Sequence, residues 1–167
     1  MLSPLDHSDV FIPDAMEPND VTAVLRHARS LQRAAEAGDI QLLLRGKNLA
    51  LMCEADDQKD AELFRSAAVQ LGAHVSHIRP SLSSLTTAEA VQNTARMLGR
   101  LYDAMECQGM TPALVRQVGR DAGMPVYDGI ASRDHPIARL ARRLATSSSL
   151  ADRRRFVVQA VLLHTMA

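Results

Sequence analysis

The stretch LALMCEADDQKDAELF, Leu49 to Phe64, joins a short apolar run to a segment of helical period across a turn crowded with acids. "LALMC" is apolar and bounded by polar residues, as a strand buried on both faces of a parallel sheet would be. "DAELFRSAAVQLGA" then places apolar residues at helical spacing and stops at Gly72. Between them stand five carboxylates, Glu54, Asp56, Asp57, Asp60 and Glu62, with one cation, Lys59. In open α/β sheets a turn of this kind, from the carboxyl end of a strand into a helix, commonly cradles a phosphate. The sign of its charge therefore bears on function.

The strand-helix unit recurs along the chain. Upstream, "EPNDVTAVLRHARSLQRAAEAGD" has an Asn19/Asp20 start signal, Val21, Val24, Leu25, Ala28 and Leu31 at helical spacing, and Gly38 as a stop. Downstream, "HVSHI" predicts a second strand and "TTAEAVQNTARMLGRL" a helix capped by Thr86 or Thr87. "YDAMEC" predicts a third strand, "TPALVRQVGRDAG" a helix with Pro112 in its first turn, and "MPVYDGI" a fourth strand. Strands alternating with helices imply an α/β domain with a parallel sheet. The last part reads as helix only: "HPIARLARRLA", a linker "TSSS", and "LADRRRFVVQAVLLHTMA", whose second half is so apolar that it must bury most of itself.

A chain of 167 residues suits one domain with its own core. Nearly half the residues are apolar, but Trp is absent and Phe and Tyr total five, so the core is expected to be aliphatic and Met-filled. No apolar run is long enough to span a membrane and the amino terminus lacks the order of a signal peptide, so a cytoplasmic location is expected. Residues 1–130 hold 12 Lys and Arg against 17 Asp and Glu, and residues 131–167 hold 7 against 2. That basic tail lacks the aromatic platforms of a nucleic-acid site, so neither nucleic acid nor membrane is expected as a partner. Two cysteines provide neither a disulfide framework nor a four-ligand metal pattern, and no metal or cofactor is expected.

The motifs "LLRGKNLALMCE", "AAVQLGAHV", "TARMLGRLYDAM" and "AGMPVYDGI", followed by "HP", occur in an order and spacing that resemble the carbamoyl phosphate-binding domain of ornithine and aspartate carbamoyltransferases, the ornithine branch more closely. "LADRRRFVVQAVLLHTMA" is similar to the last helix of those enzymes, which returns to this domain after a second one. The resemblance implies a three-layer α/β/α fold with a four-stranded sheet in the order 2-1-3-4. It further implies that residues 1–146 form the domain and that residues 147–167 are a linker and returning helix, with "TSSS" standing where the second domain would be. A homotrimer is implied, with a full-length carbamoyltransferase as another potential partner.

The same resemblance identifies the contact positions and how this chain departs from them. The family's Ser-Thr-Arg-Thr-Arg signature falls on Asp57, Gln58, Lys59, Asp60 and Ala61. The Arg after the third strand falls on Gln108, the basic residue of the loop reaching a neighbouring subunit on Ala88, and the Gln of His-Pro-x-Gln on Ala138, while His135 and Pro136 remain. A unit charge pair a few Å apart contributes about 1 kcal/mol in water and about 4 near a protein surface, so the exchange of guanidiniums for carboxylates should repel a phosphate dianion. The expected site is thus a degenerate carbamoyl phosphate site made of Asp57, Gln58, Lys59, Asp60, Gln108 and His135, with no catalytic residue. The expected function is a catalytically inactive binding or regulatory module. One alternative is a carbamoyltransferase component that keeps weak anion binding and acts with a partner chain; another is a sensor of a cationic or amino ligand.

Other readings stay open at this level. Acids at a helix start also cap free N–H groups and complement the dipole, so the turn can be purely structural, a cation site or a docking surface for a basic partner. Cys53 and Cys107 end neighbouring strands, which admits a redox pair or soft-metal site as well as two buried apolar thiols. His74 and His77, three apart in a strand, point to opposite faces. His135 is either a ligand group or a helix-start residue, and Tyr102, Asp103 and Arg96 are read as scaffold.

Overall fold

The computed structural model describes residues 17–54, 58–79, 82 and 85–166. Its elements run α1 (Pro18–Glu36), β1 (Asn48–Cys53), α2 (Gln58–Gln70), β2 (His74–His77), α3 (Ala88–Leu101), β3 (Ala104–Gln108), α4 (Pro112–Ala122), β4 (Val126–Asp128), a 3-10 helix (Pro136–Arg143) and α5 (Leu150–Met166). The strands form one parallel sheet in the order β2-β1-β3-β4, as the sequence implied.

Side-chain alternation along the strands builds a core on each face. Leu49 and Leu51 of β1, Ala104 of β3 and Tyr127 of β4 face a layer made by α1, α2, α5 and the 3-10 helix. Ala50, Met52, Met105, Cys107 and Val126 face α3 and α4. The core against α3 and α4 is aliphatic with Met52, Met105, Met110 and Met124 as filler, as expected, whereas the other is aliphatic around Phe64, Tyr127 and Phe156 with no Met among its buried residues; the first and last helices pack together on that side.

The alternation also separates the cysteines. Met52 pairs with Cys107 and Cys53 with Gln108, so the two thiols are one residue out of register and on opposite faces of the sheet. Cys107 is buried against the α3–α4 layer, and the redox pair admitted above is corrected to two separate thiols.

Several motif residues act on the scaffold. Thr87 caps α3, its hydroxyl accepting from the Ala90 N–H at 3.1 Å. Asp103 Oδ2 accepts from the Asn48 N–H at 2.8 Å, which fixes the start of β1 against the start of β3. Gly99 lies where α3 meets α4 so closely that a Cβ there would fall 1.7 Å from the Ala122 carbonyl oxygen. Only a residue without a side chain permits that crossing.

The segment "HPIARLARRLA", read as helix, forms a 3-10 helix with His135 as its N-cap. Its end closes by an i to i+3 bond from the Leu144 N–H to the Ala141 carbonyl at 3.3 Å. α5 follows, with every residue from Phe156 to Leu163 buried. Gln159 Nε2 donates to the Ala67 carbonyl of α2 at 3.1 Å, and the Tyr127 and Thr165 hydroxyls lie 2.6 Å apart. Among the described residues no helix is long and apolar enough to cross a membrane.

Candidate functional site

The carboxyl ends of β1, β3 and β4 open into a cavity of about 430 Å³ whose walls include Asp60, Gln108, Asp128, Ser132, Asp134 and His135. Each wall comes from a different connection: Asp60 from the first turn of α2, Gln108 from the end of β3, and the others from the end of β4 to the start of the 3-10 helix. No Lys or Arg is among the lining residues described.

Asp60 turns inward and is only 8% exposed. Arg154 of α5 lies 3.9 Å from its Oδ1 and donates from the same Nη2 to the Ala131 carbonyl at 3.0 Å. One guanidinium thus ties α5, α2 and the loop after β4 together. Asp128 is half-buried, and burial pushes its carboxyl above the ordinary carboxylate range against the pull of Arg116.

Behind the wall lies Glu106, at the centre of β3 and fully buried. Its Oε1 accepts from the Ile130 N–H and its Oε2 from the Ala131 N–H, each at 3.1 Å. Gln108 Nε2 donates to the same Oε2 at 3.4 Å. Desolvation outweighs these donors and pushes the carboxyl up to about 8. Gln108 is itself only 5% exposed, and its Oε1 has no hydrogen-bond partner among the described residues. Burial, and then the neighbouring acids, also push the Cys107 thiol up, which leaves it a poor nucleophile.

Of the residues singled out from sequence, Asp60, Gln108 and His135 come together on the cavity. Gln58 and Lys59 are exposed at the start of α2 and are not among its walls, and Asp57 lies outside the described residues. The His135 Nδ1 accepts from the Ile137 N–H at 3.3 Å, so the side chain that reaches the cavity also starts the 3-10 helix. Asp128, at the end of β4, and Asp134, on the connection to the 3-10 helix, were not singled out from the sequence. Glu106 and Arg154 were missed, although an acid inside an apolar strand and three successive arginines before an apolar helix were visible signals. Among the described residues no group of three or more His, Cys, Asp and Glu is arranged to hold a metal ion.

A parallel sheet in this order, layered by helices and opening at its strand ends, defines a small α/β domain of the ligand-binding kind. The chain belongs to the aspartate/ornithine carbamoyltransferase, carbamoyl-P binding domain family, whose family model matches residues 9–146. Ornithine carbamoyltransferase of Actinobacillus pleuropneumoniae serotype 5b is 38% identical over 122 residues, 73% of this chain and 36% of that protein. The catabolic ornithine carbamoyltransferase 1 of Staphylococcus epidermidis is 35% identical over 127 residues, 76% of this chain and 38% of that protein. The chain therefore spans well under half the length of these curated relatives. Among solved structures, ornithine carbamoyltransferase from Pyrococcus furiosus shares the fold with a TM-score of 0.73 at 23% identity, over 85% of this chain and 45% of that one.

Proposed function

We propose that this carbamoyltransferase-like domain transfers no carbamoyl group and works as a binding or regulatory module. The observation that carries this is the charge of the cavity: Asp60, Asp128 and Asp134 stand at the strand ends, and no Lys or Arg is among the described lining residues. A phosphate dianion entering there meets these three carboxylates, each close pair repelling by about 1 kcal/mol in water and about 4 near the surface. Arg154, beside the cavity, is engaged by Asp60 and the Ala131 carbonyl, and Lys59 is exposed off the wall. The site Asp57, Gln58, Lys59, Asp60, Gln108 and His135 is thus, in this proposal, a degenerate carbamoyl phosphate site without catalytic residues.

Purified protein supplied with carbamoyl phosphate and either ornithine or aspartate should form no carbamoylated amino acid. Turnover above a buffer blank would refute the proposal. The proposal takes residues 1–146 with the linker and helix of 147–167 as one unit, supported by the burial of α5 against α1 and α2, and assigns that unit to the cytoplasm. Assembly as a homotrimer belongs to it as well, supported by the exposed apolar side chains of Ile40, Leu43, Met97 and Leu101. A monomer mass by light scattering would remove that part.

A further inference from the structure

Away from the cavity, positive charge gathers where α1, the 3-10 helix and α5 meet. On α1, Arg26, Arg29 and Arg33 are exposed and spaced by three and four, so they project within an arc of about 60° along about 10 Å of helix. The opposite side of that helix holds Val24, Leu25, Ala28 and Leu31 in the core. The linker into α5 brings further arginines to the same end. Gln32, beside Arg33, donates from Nε2 to the Ala145 carbonyl at 2.7 Å and to Ser148 Oγ at 3.1 Å. Arg142 and Arg143, exposed at the end of the 3-10 helix, precede Ala145 by three and two residues. Arg153 of α5 donates from Nε to the Ser148 carbonyl at 3.2 Å. Guanidiniums from three elements thus surround one short linker. None of these six arginines has an ion pair with a carboxylate among the described residues. The acids that follow Arg33, Glu36 and Asp39, accept instead from Ser147 and Gln41.

We propose that this junction docks a short acidic segment of another protein, a helix with Asp or Glu spaced by three and four. Carboxylates at that spacing stand opposite the arginine stripe, and each guanidinium fork can give a carboxylate two parallel N–H donors. The charge around the junction selects a short segment over a nucleic acid. Residues 1–130 hold 17 Asp and Glu against 12 Lys and Arg, so a long polyanion would run off the arginines onto an acidic body. Among the described residues no aromatic side chain is exposed on which bases could stack. The inference stands whether or not the cavity handles a carbamoyl group.

Fluorescence anisotropy of a labelled alanine-based helical peptide with Glu spaced by three and four, titrated with the 167-residue chain, tests it. The Gln counterpart of that peptide and an oligothymidylate of equal length are the comparison probes. Saturable binding of the Glu peptide is expected, weakening as salt is raised and about tenfold tighter than that of either comparison probe. The triple variant Arg26→Gln, Arg29→Gln, Arg33→Gln should weaken it about tenfold, and Arg142→Gln with Arg143→Gln several-fold. All five positions are exposed and the two variants are separate, so a folding fault in one leaves the other to decide. Arg96→Gln, Arg100→Gln, Arg120→Gln removes as many charges from exposed positions on α3 and α4, across the sheet, and should leave binding unchanged. Absence of binding by the Glu peptide, an equal loss in the α3–α4 variant, or tighter binding of oligothymidylate overturns the inference. A light-scattering mass that falls in either junction variant assigns the surface to a second copy of the chain and overturns it as well.

Discussion

Replacing Glu106 by Gln should change how the stability of this domain varies with pH. Burial holds the folded carboxyl at about 8, against an ordinary value of 4.5. Between those values the folded state binds a proton that the unfolded chain has released. The slope of stability with pH follows protons bound unfolded minus protons bound folded, so this group makes stability fall as pH rises from about 4.5 and level off above about 8. At about 1.4 kcal/mol per pH unit the full loss is roughly 5 kcal/mol, of which about 3 falls between pH 5.5 and 8. Other groups titrate nearby: Asp128, raised by burial, adds to the fall, and His27, lowered by burial, opposes it. The wild-type-minus-variant difference isolates Glu106. The variant should also carry a pH-independent cost of about 1 to 3 kcal/mol, because its amide nitrogen cannot accept from the Ile130 or Ala131 N–H. Urea unfolding of both proteins at pH 5.5, 7 and 8 measures this. A difference that stays constant across the three would refute the assignment of Glu106 as a carboxyl protonated in the folded state.

Two further substitutions probe the scaffold around the site. Gly99→Ala puts a methyl 1.7 Å from the Ala122 carbonyl, so α3 and α4 must separate; a loss of about 3 kcal/mol is expected in urea unfolding, and a loss under 1 would mean the helices do not cross there. Arg154→Met removes the guanidinium from Asp60 and the donor from Ala131; about 3 kcal/mol of destabilisation is expected by the same measurement, Arg154→Lys should recover part of it, and full recovery by Lys would argue that the guanidinium geometry is irrelevant.

Much of the fold was legible because its elements carry their own signals. β1 reads as buried on both faces, and its four central residues are; α4 begins at a Pro and stops before a left-handed Gly, as its sequence requires. The strand order came with the resemblance, since no local pattern tells which strands are neighbours. The 3-10 helix escaped because Ile137, Leu140, Ala141 and Leu144 are spaced by three and four, which fits a period of 3.0 as well as 3.6. The site was harder to read. Gln58, Lys59 and Asp60 are consecutive on a helix, about 100° apart, and sequence alone does not say that Asp60 faces inward. The same ambiguity hides Arg154 among three arginines, and only helical phase selects the one that meets Asp60.

The departure of the contact positions that the family resemblance implies is compatible with retention of the fold for one physical reason. The core is made by residues within the strands and on the inner helix faces, whereas the cavity is lined by residues at the carboxyl ends of β3 and β4 and on the connections that follow β1, β3 and β4. Exchanging cations for acids at those ends removes no apolar contact, so the aliphatic layers hold the sheet regardless of the charge at its edge. What the exchange does require is a counter-ion for the carboxylate that becomes buried, and α5 supplies it. Arg154 reaches Asp60 because α5 packs between α1 and α2 and presents its first turns to the cavity rim. The same guanidinium cannot then serve an entering phosphate without leaving Asp60 and the Ala131 carbonyl, so the contact that stabilises the buried Asp60 also opposes anion binding at this edge.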